Sequence, residues 1–269
     1  MEIGTPANSQ ITNVLNIDNN ELLALGGSFK SIVFGHKDGL HAAAQSGLVR
    51  IGAVNMAEQP SLRSNVEVYG SSITVEDYSR SDYTLLIGGD LKLDAVNDVT
   101  LRNRVEARSD AGLQDITLYS ATGTVSQTDA AVGDGIAGEA LRGDHLTVTA
   151  VTGISLLHTE LNTVTAVNSG GGSNGISISE TALGGSLSVL GATQTATGGA
   201  GAIEISTRAG TLTVAPAADT GIGVRNAGHG SITLTSSAGA IAVQQAVTTN
   251  TGSITLQASG QITTSGAGR

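Results

Sequence analysis

Hydrophobic residues in this 269-residue chain recur as one small unit, aliphatic, polar, aliphatic, usually led in by Gly or a small polar residue. The unit reads Ile73-Thr74-Val75, Leu91-Lys92-Leu93, Val99-Thr100-Leu101, Ile116-Thr117-Leu118, Leu146-Thr147-Val148 and Ile154-Ser155-Leu156. It continues as Ile176-Ser177-Ile178, Leu187-Ser188-Val189, Ile203-Glu204-Ile205, Leu212-Thr213-Val214, Ile222-Gly223-Val224, Ile232-Thr233-Leu234, Ile241-Ala242-Val243, Ile254-Thr255-Leu256 and Ile262-Thr263. Alternation with a period of two is the signature of a strand with one buried face. The Ile, Val and Thr that fill the units favour strands. Each unit spans about three to five residues, and Gly, Ser, Asn or Asp marks its ends.

The spacing of the units limits how such strands can be joined. From Ile203 onward they follow one another at intervals close to ten residues. Two-residue Asn-Gly or Asp-Gly hairpin turns are too few, with Asp38-Gly39 and Asp134-Gly135 the examples. The gaps are also too short and too rich in Gly for crossover helices. An all-β solenoid remains, with two or three short strands per coil and about 20 residues per coil. About eleven coils at a strand spacing of roughly 4.8 Å would make a rod on the order of 50 Å long. Residues 1–60 are expected to form less regular coils and 61–269 the repeat region, within one continuous solenoid and as an internal piece of a larger protein.

Composition sharpens this picture. The chain has 37 Gly, four Tyr, two Phe and neither Trp nor Cys, so its core must be narrow and aliphatic. The net charge of −10 disfavours nucleic acid as a partner. No apolar run is long enough for a membrane helix, so no membrane insertion is expected. No cofactor motif is recognisable: Gly198-Gly199-Ala200-Gly201 lacks the Lys-Ser/Thr of a phosphate loop. Gly170-Gly171-Gly172-Ser173-Asn174-Gly175 lacks the Asp of a calcium-binding repeat. His36, His41, His145, His158 and His229 are scattered without the spacing of a zinc site. Thr-x-Thr pairs such as Thr147/Thr149 and Thr233/Thr235 resemble ice-binding arrays, but Glu204, Gly223 and Ala242 interrupt them.

Runs such as Gly230-Ser231-Ile232-Thr233-Leu234, Gly252-Ser253-Ile254-Thr255-Leu256 and Gly260-Gln261-Ile262-Thr263 resemble the degenerate repeats of filamentous-haemagglutinin-type exoproteins and other large bacterial adhesins. The resemblance is strongest over residues 140–269 and extends to residue 65. It implies a right-handed parallel β-helix, secreted to the bacterial outer-membrane surface. It also implies a structural and adhesive role towards a receptor or glycan on a host or neighbouring cell, without catalysis.

Three further expectations follow from individual residues. Arg142-Gly143-Asp144 is the tripeptide that integrins read in some adhesins, and it stands just before a strand unit, where a loop is expected. Residues 61–120 are the place for any binding surface, combining Tyr69, Tyr78, Tyr83 and Tyr119 with Arg63, Arg80, Arg102, Arg104 and Arg108. Glu76, Asp77, Asp82, Asp90, Asp94 and Asp98 in the same stretch are the carboxylates that a polysaccharide-active enzyme would draw on, although a solvated charged face is the simpler reading. Unpaired strand edges at the two ends would favour end-to-end self-association.

Overall fold

The structure is a computed structural model. It describes residues 1–3, 16–17, 21, 29–44, 46–52, 54–55, 64–76, 84–128, 141–216 and 222–265. The strands join in one large, almost wholly parallel sheet, with antiparallel pairing confined to two small hairpins. No helix among the described residues is long and apolar enough to cross a membrane.

Register shows how the sheet closes on itself into stacked coils. Three ladders run through it. Ladder I contains Ser31–Gly35, Asn65–Gly70, Leu91–Ala95 and Ile116–Ser120, then the latter halves of Leu141–Ala150, Ile154–Asn168 and Leu187–Gln194, and finally Ile222–Asn226 and Ala246–Thr249. Ladder II contains Val49–Ile51, Ile73–Val75, Val99–Leu101 and Val125–Gln127, the start of Ile154–Asn168, and then Ile176–Glu180, Ile203–Thr207, Ile232–Ser236 and Ile254–Ala258. Ladder III contains Val54–Asn55, Thr84–Ile87, Arg104–Ser109 and the start of Leu141–Ala150. Further along, its place is taken by the start of Leu187–Gln194, Leu212–Val214, Ile241–Val243 and Ile262–Thr264.

The coil is longer than the unit spacing suggested. In ladder II, Ile73 pairs with Val99, then Val125, Ile154, Ile176, Ile203, Ile232 and Ile254. The steps between these residues run from 22 to 29, not about 20. Three consecutive units close a coil, because each ten-residue interval is one side of a three-sided cross-section. Leu212 therefore pairs with Ile241 and not with a residue of the Ile232 unit. Counting Asn16–Ile17 and Glu2–Ile3, ladder II has eleven rungs among the described residues. At about 4.8 Å per rung this gives a stack roughly 50 Å tall.

The first and third residues of each unit point inward. Leu93, Val99, Leu101, Ile116, Leu118, Leu146, Val148, Leu187, Ile203, Leu212 and Ile232 are all fully buried. One cluster of such side chains extends from Ile3 to Ile241. Each fully buried aliphatic side chain contributes roughly 1.5–3 kcal/mol, so these ladders dominate the stability.

Two internal rows of polar residues were not expected. They continue the inward phase beyond the aliphatic triplet. At the end of ladder I strands stand Ser120, Asn168, Gln194 and Asn226, all buried. Asn168 Nδ2 donates to Gln194 Oε1 at 2.8 Å, Gln194 Nε2 to the Gly170 carbonyl at 2.7 Å, and Asn226 Nδ2 to the Gly201 carbonyl at 2.9 Å. At the end of ladder II stand Gln127, Thr159, Glu180, Thr207 and Ser236. Apart from Thr207, whose hydroxyl has no hydrogen-bond partner, these side chains bond to backbone groups at or near the coil corners.

Glycine at the corners serves less for left-handed backbone than for space. Gly35 does have φ of 91°, and a Cβ there would also strike the Tyr69 carbonyl. At Gly175, Gly230 and Gly252 no such φ occurs. A Cβ would instead overlap the carbonyl of Ala202, Gly201 and Gly230 respectively, in the coil stacked alongside.

Candidate functional site

Ladder I carries the densest group of ionisable side chains on its outer side. Residues two apart on a strand share a face, and paired residues in adjacent rungs stand side by side. Register therefore places Tyr69, Asp94 and Tyr119 in one outward row, and Glu67 and Lys92 in the next. A hairpin, Lys37–Asp38 paired with His41–Ala42, folds over these rows.

The hairpin is fastened at named atoms. Asp94, with no exposed surface, accepts from the Ala42 amide at 2.9 Å and lies 2.9 Å from His41 Nδ1 and 3.1 Å from Lys92 Nζ. Lys92 Nζ also donates to the Leu40 carbonyl at 2.6 Å and to Tyr69 Oη at 3.3 Å. Tyr69 donates to Glu67 Oε2 at 2.5 Å, and Lys37 Nζ stands 3.1 Å from the same oxygen. The His41 ring stacks on Tyr119 with centroids 3.9 Å apart. Lys37 and Lys92 both sit over the Tyr69 ring, at 5.1 and 4.9 Å.

The electrostatics follow from this geometry. The Tyr69 hydroxyl, together with Lys37 and Lys92, holds the Glu67 carboxyl below its ordinary range against a smaller opposing effect of burial. Burial, reinforced by the neighbouring Glu67, pushes the Tyr69 phenol well above its usual value, so Tyr69 stays a neutral donor. The two lysines balance the two carboxylates. As it stands the cluster is a closed strap. Asp94 is sealed under the hairpin between the Ala42 amide, His41 and Lys92.

A second cluster lies on ladder III. Glu106, nearly buried, lies 3.0 Å from Arg104 Nη2, 3.3 Å from Arg108 Nε and 3.1 Å from Arg142 Nη1. Arg142 also reaches Glu160 at 2.9 Å. The tripeptide Arg142-Gly143-Asp144 thus lies within the strand Leu141–Ala150, not in a loop before it. Its Arg is held by two carboxylates. A Cβ on Gly143 would crowd Ile116, and Asp144 accepts from Asn162 Nδ2 at 2.7 Å. The residues that looked like a recognition loop are continuous with the ladder because their backbone pairs with Val105–Glu106 and Thr159–Leu161.

The other expected residues are spread out. Glu76 pairs with Arg102 at 3.4 Å and Arg50 at 3.6 Å on a ladder II corner. Asp90 accepts from Asn65 at 3.1 Å, and Asp98 from Thr124 at 2.9 Å. Arg63, Asp77, Tyr78, Arg80, Asp82 and Tyr83, with Asp134-Gly135, lie outside the described residues. Of the stretch 61–120, Tyr69, Asp94 and Tyr119 come together. Glu67, Lys92, Lys37 and His41 complete the cluster and were not singled out. The available signal was Glu67 and Tyr69, two apart on one strand, aligned with Lys92 and Asp94 on the next.

The outer side of ladder II has a shallow groove of about 430 Å³ lined by Ser126, Ser155, Ser177, Asn174 and Glu204, with one carboxylate. Among the described residues no three His, Cys, Asp or Glu converge as metal ligands would. No family model, curated protein or solved structure matches the chain.

Proposed function

We propose that the chain is a structural and adhesive stalk segment of a secreted bacterial surface protein, wound as a right-handed parallel β-helix. The observation that carries this reading is the unbroken aliphatic ladder beneath an outer surface of short Ser and Thr rows. Such a stack resists bending because, among the described residues, successive coils are hydrogen-bonded to one another along as many as three sides. The right hand follows from the general rule for crossovers between parallel strands. The partner is a receptor or glycan on a host or neighbouring cell, and the place of action is the outer-membrane surface. Beads coated with the chain should be retained on cell monolayers or immobilised surface glycans well above beads coated with albumin. Equal retention of both would overturn the adhesive role.

One observation favours a second reading, a polysaccharide-active β-helix. Glu67 and Asp94 share one polar cluster with tyrosines on residues 61–120, two carboxylates are what glycoside hydrolysis requires, and on this reading the hairpin that covers Asp94 lifts to admit the polysaccharide. Release of new reducing ends from acidic or neutral polysaccharides, lost in Glu67→Gln and Asp94→Asn, would favour it over the stalk.

A further inference from the structure

Asn is followed directly by Gly at one place in the chain, Asn174-Gly175. The pair closes the run Gly170-Gly171-Gly172-Ser173-Asn174-Gly175, the corner that leads into the ladder II strand Ile176–Glu180. Gly171, Gly172, Ser173 and Asn174 are exposed, and none of them lies in a strand. The carbonyls of this corner are engaged. That of Asn174 accepts from Asn168 Nδ2 at 3.0 Å, and that of Gly175 from the Ile154 amide at 2.9 Å. Among the described residues, neither the Asn174 side-chain amide nor the Gly175 amide nitrogen makes a hydrogen bond.

These two free groups can react with each other. A bond from the Gly175 nitrogen to Asn174 Cγ closes a five-membered ring. Gly carries no Cβ to block that approach, and the glycines before Ser173 leave the backbone free to turn. Within a ladder strand the same amide would be tied up in a hydrogen bond.

We infer that Asn174 is a self-modification site, where the chain converts its own asparagine into aspartate and isoaspartate and so loosens this corner. The Gly175 nitrogen gives up its proton to solvent and bonds to Asn174 Cγ. The side-chain nitrogen takes up a proton and leaves as ammonia, so neither oxidant nor reductant is needed. Water then opens the cyclic imide. Cleavage of the new bond to Cγ gives aspartate. Cleavage of the original peptide bond gives isoaspartate, whose main chain runs through the former side chain and is one carbon longer.

The corner has no room for that carbon. A Cβ on Gly175 would overlap the Ala202 carbonyl, and one on Gly201 would crowd the Asn174 carbonyl. Asn168, fully buried, donates both to the Asn174 carbonyl and to Gln194 Oε1. Isoaspartate therefore pulls the corner away from the internal polar row of ladder I. Either product also adds a carboxylate to the groove that Asn174 and Glu204 line. The inference stands whether or not the chain is an adhesive stalk.

The full chain, kept for weeks at neutral pH in water enriched in heavy oxygen, should show labelled aspartate and isoaspartate at position 174 on peptide mapping. Conversion there should be roughly ten times faster than at Asn250, which is exposed but followed by Thr251. Asn174→Gln, whose ring would need an additional atom, should stay intact and keep the same far-ultraviolet circular dichroism. Proteolysis within residues 169–175 should quicken with age in the unsubstituted chain and not in the variant. An Asn174 that persists in the folded chain overturns the inference, and its conversion only after unfolding in urea would show that the corner protects it. So do equal rates at Asn174 and Asn250, and a cleavage rate that changes with age equally in chain and variant.

Discussion

Single residues in this solenoid matter most where a polar group has been taken inside. Asp94 has no exposed surface and gathers the Ala42 amide, His41 and Lys92. Replacing it with Ala leaves the Ala42 amide without its acceptor and takes from Lys92 its carboxylate partner. Loss of one partner from a buried pair is far costlier than the net worth of the pair. Asp94→Ala should lower unfolding free energy in urea by about 3 kcal/mol and speed proteolytic cleavage within the hairpin. An unchanged cleavage rate would show that Asp94 does not fasten it. Glu180 presents the opposite case, a buried carboxyl with no cation beside it. Its Oε2 lies 2.8 Å from the Leu161 amide and 3.0 Å from Thr159 Oγ1, and its Oε1 accepts from the Ala182 amide at 3.1 Å. Thr159 Oγ1 donates to Glu180 Oε2 and also stands 3.1 Å from the Ser179 carbonyl. Burial is the main cause that pushes this carboxyl up to about 7 from its ordinary value of 4.5, against the lowering effect of its bonds from Leu161, Ala182 and Thr159. The native state therefore holds a proton that the unfolded chain releases between those values. Its stabilising effect is complete below about pH 4.5 and is lost as pH rises through 7, a fall of roughly 3 kcal/mol from this group. Urea midpoints should decline from pH 5 to pH 8, and Glu180→Gln should flatten that decline. A slope that the variant leaves untouched would remove Glu180 as its source.

At the scale of the element, the corners rather than the strands set the tolerance to change. Gly175, Gly230 and Gly252 stack directly against the carbonyl of a neighbouring coil. Adding a methyl at Gly175 must push two coils apart or bend the strand that begins at Ile176. Overpacking of this kind costs about 1–3 kcal/mol. Gly175→Ala should lower the urea midpoint accordingly, whereas Gly198→Ala, where a Cβ meets open space, should not. Equal midpoints for the two variants would refute the packing explanation. The same corners explain what the sequence made legible. Strand units such as Ile203-Glu204-Ile205 were readable because period-two alternation reports one buried face locally. The coil length was not, since units about ten residues apart look alike whether two or three of them close a turn. Polar members of the inward phase, such as Thr207 and Ser236, were hidden because a polar residue after the triplet reads as the end of the strand. In the strap, Tyr69, Asp94 and Tyr119 stood out by residue type. Lys37 and His41 did not, because the hairpin meets Asp94 across 52 and 53 residues of chain, a separation that no local pattern encodes.

For the whole molecule, stability is distributed along one dimension, because each coil touches only its neighbours. Position along the stack should then decide the effect of an identical chemical change. Leu118, in a middle coil, is completely buried, and its ladder I strand pairs on both sides. Leu118→Ala removes methyl groups and leaves a cavity that two hydrogen-bonded neighbours hold open, at a cost of about 2–5 kcal/mol. Ile262 lies in the last coil, is 43% exposed and has a pairing partner on one side among the described residues. Ile262→Ala has less transfer energy to lose and a free end that can relax, so it should cost under about 1 kcal/mol. Hydrogen exchange should follow the same gradient, with amides of Leu91–Ala95 and Ile116–Ser120 among the slowest and those of Ile262–Thr264 among the fastest. A uniform exchange profile, or equal costs for the two Ala substitutions, would show that the molecule unfolds as a single cooperative body and that coil-by-coil additivity does not describe it.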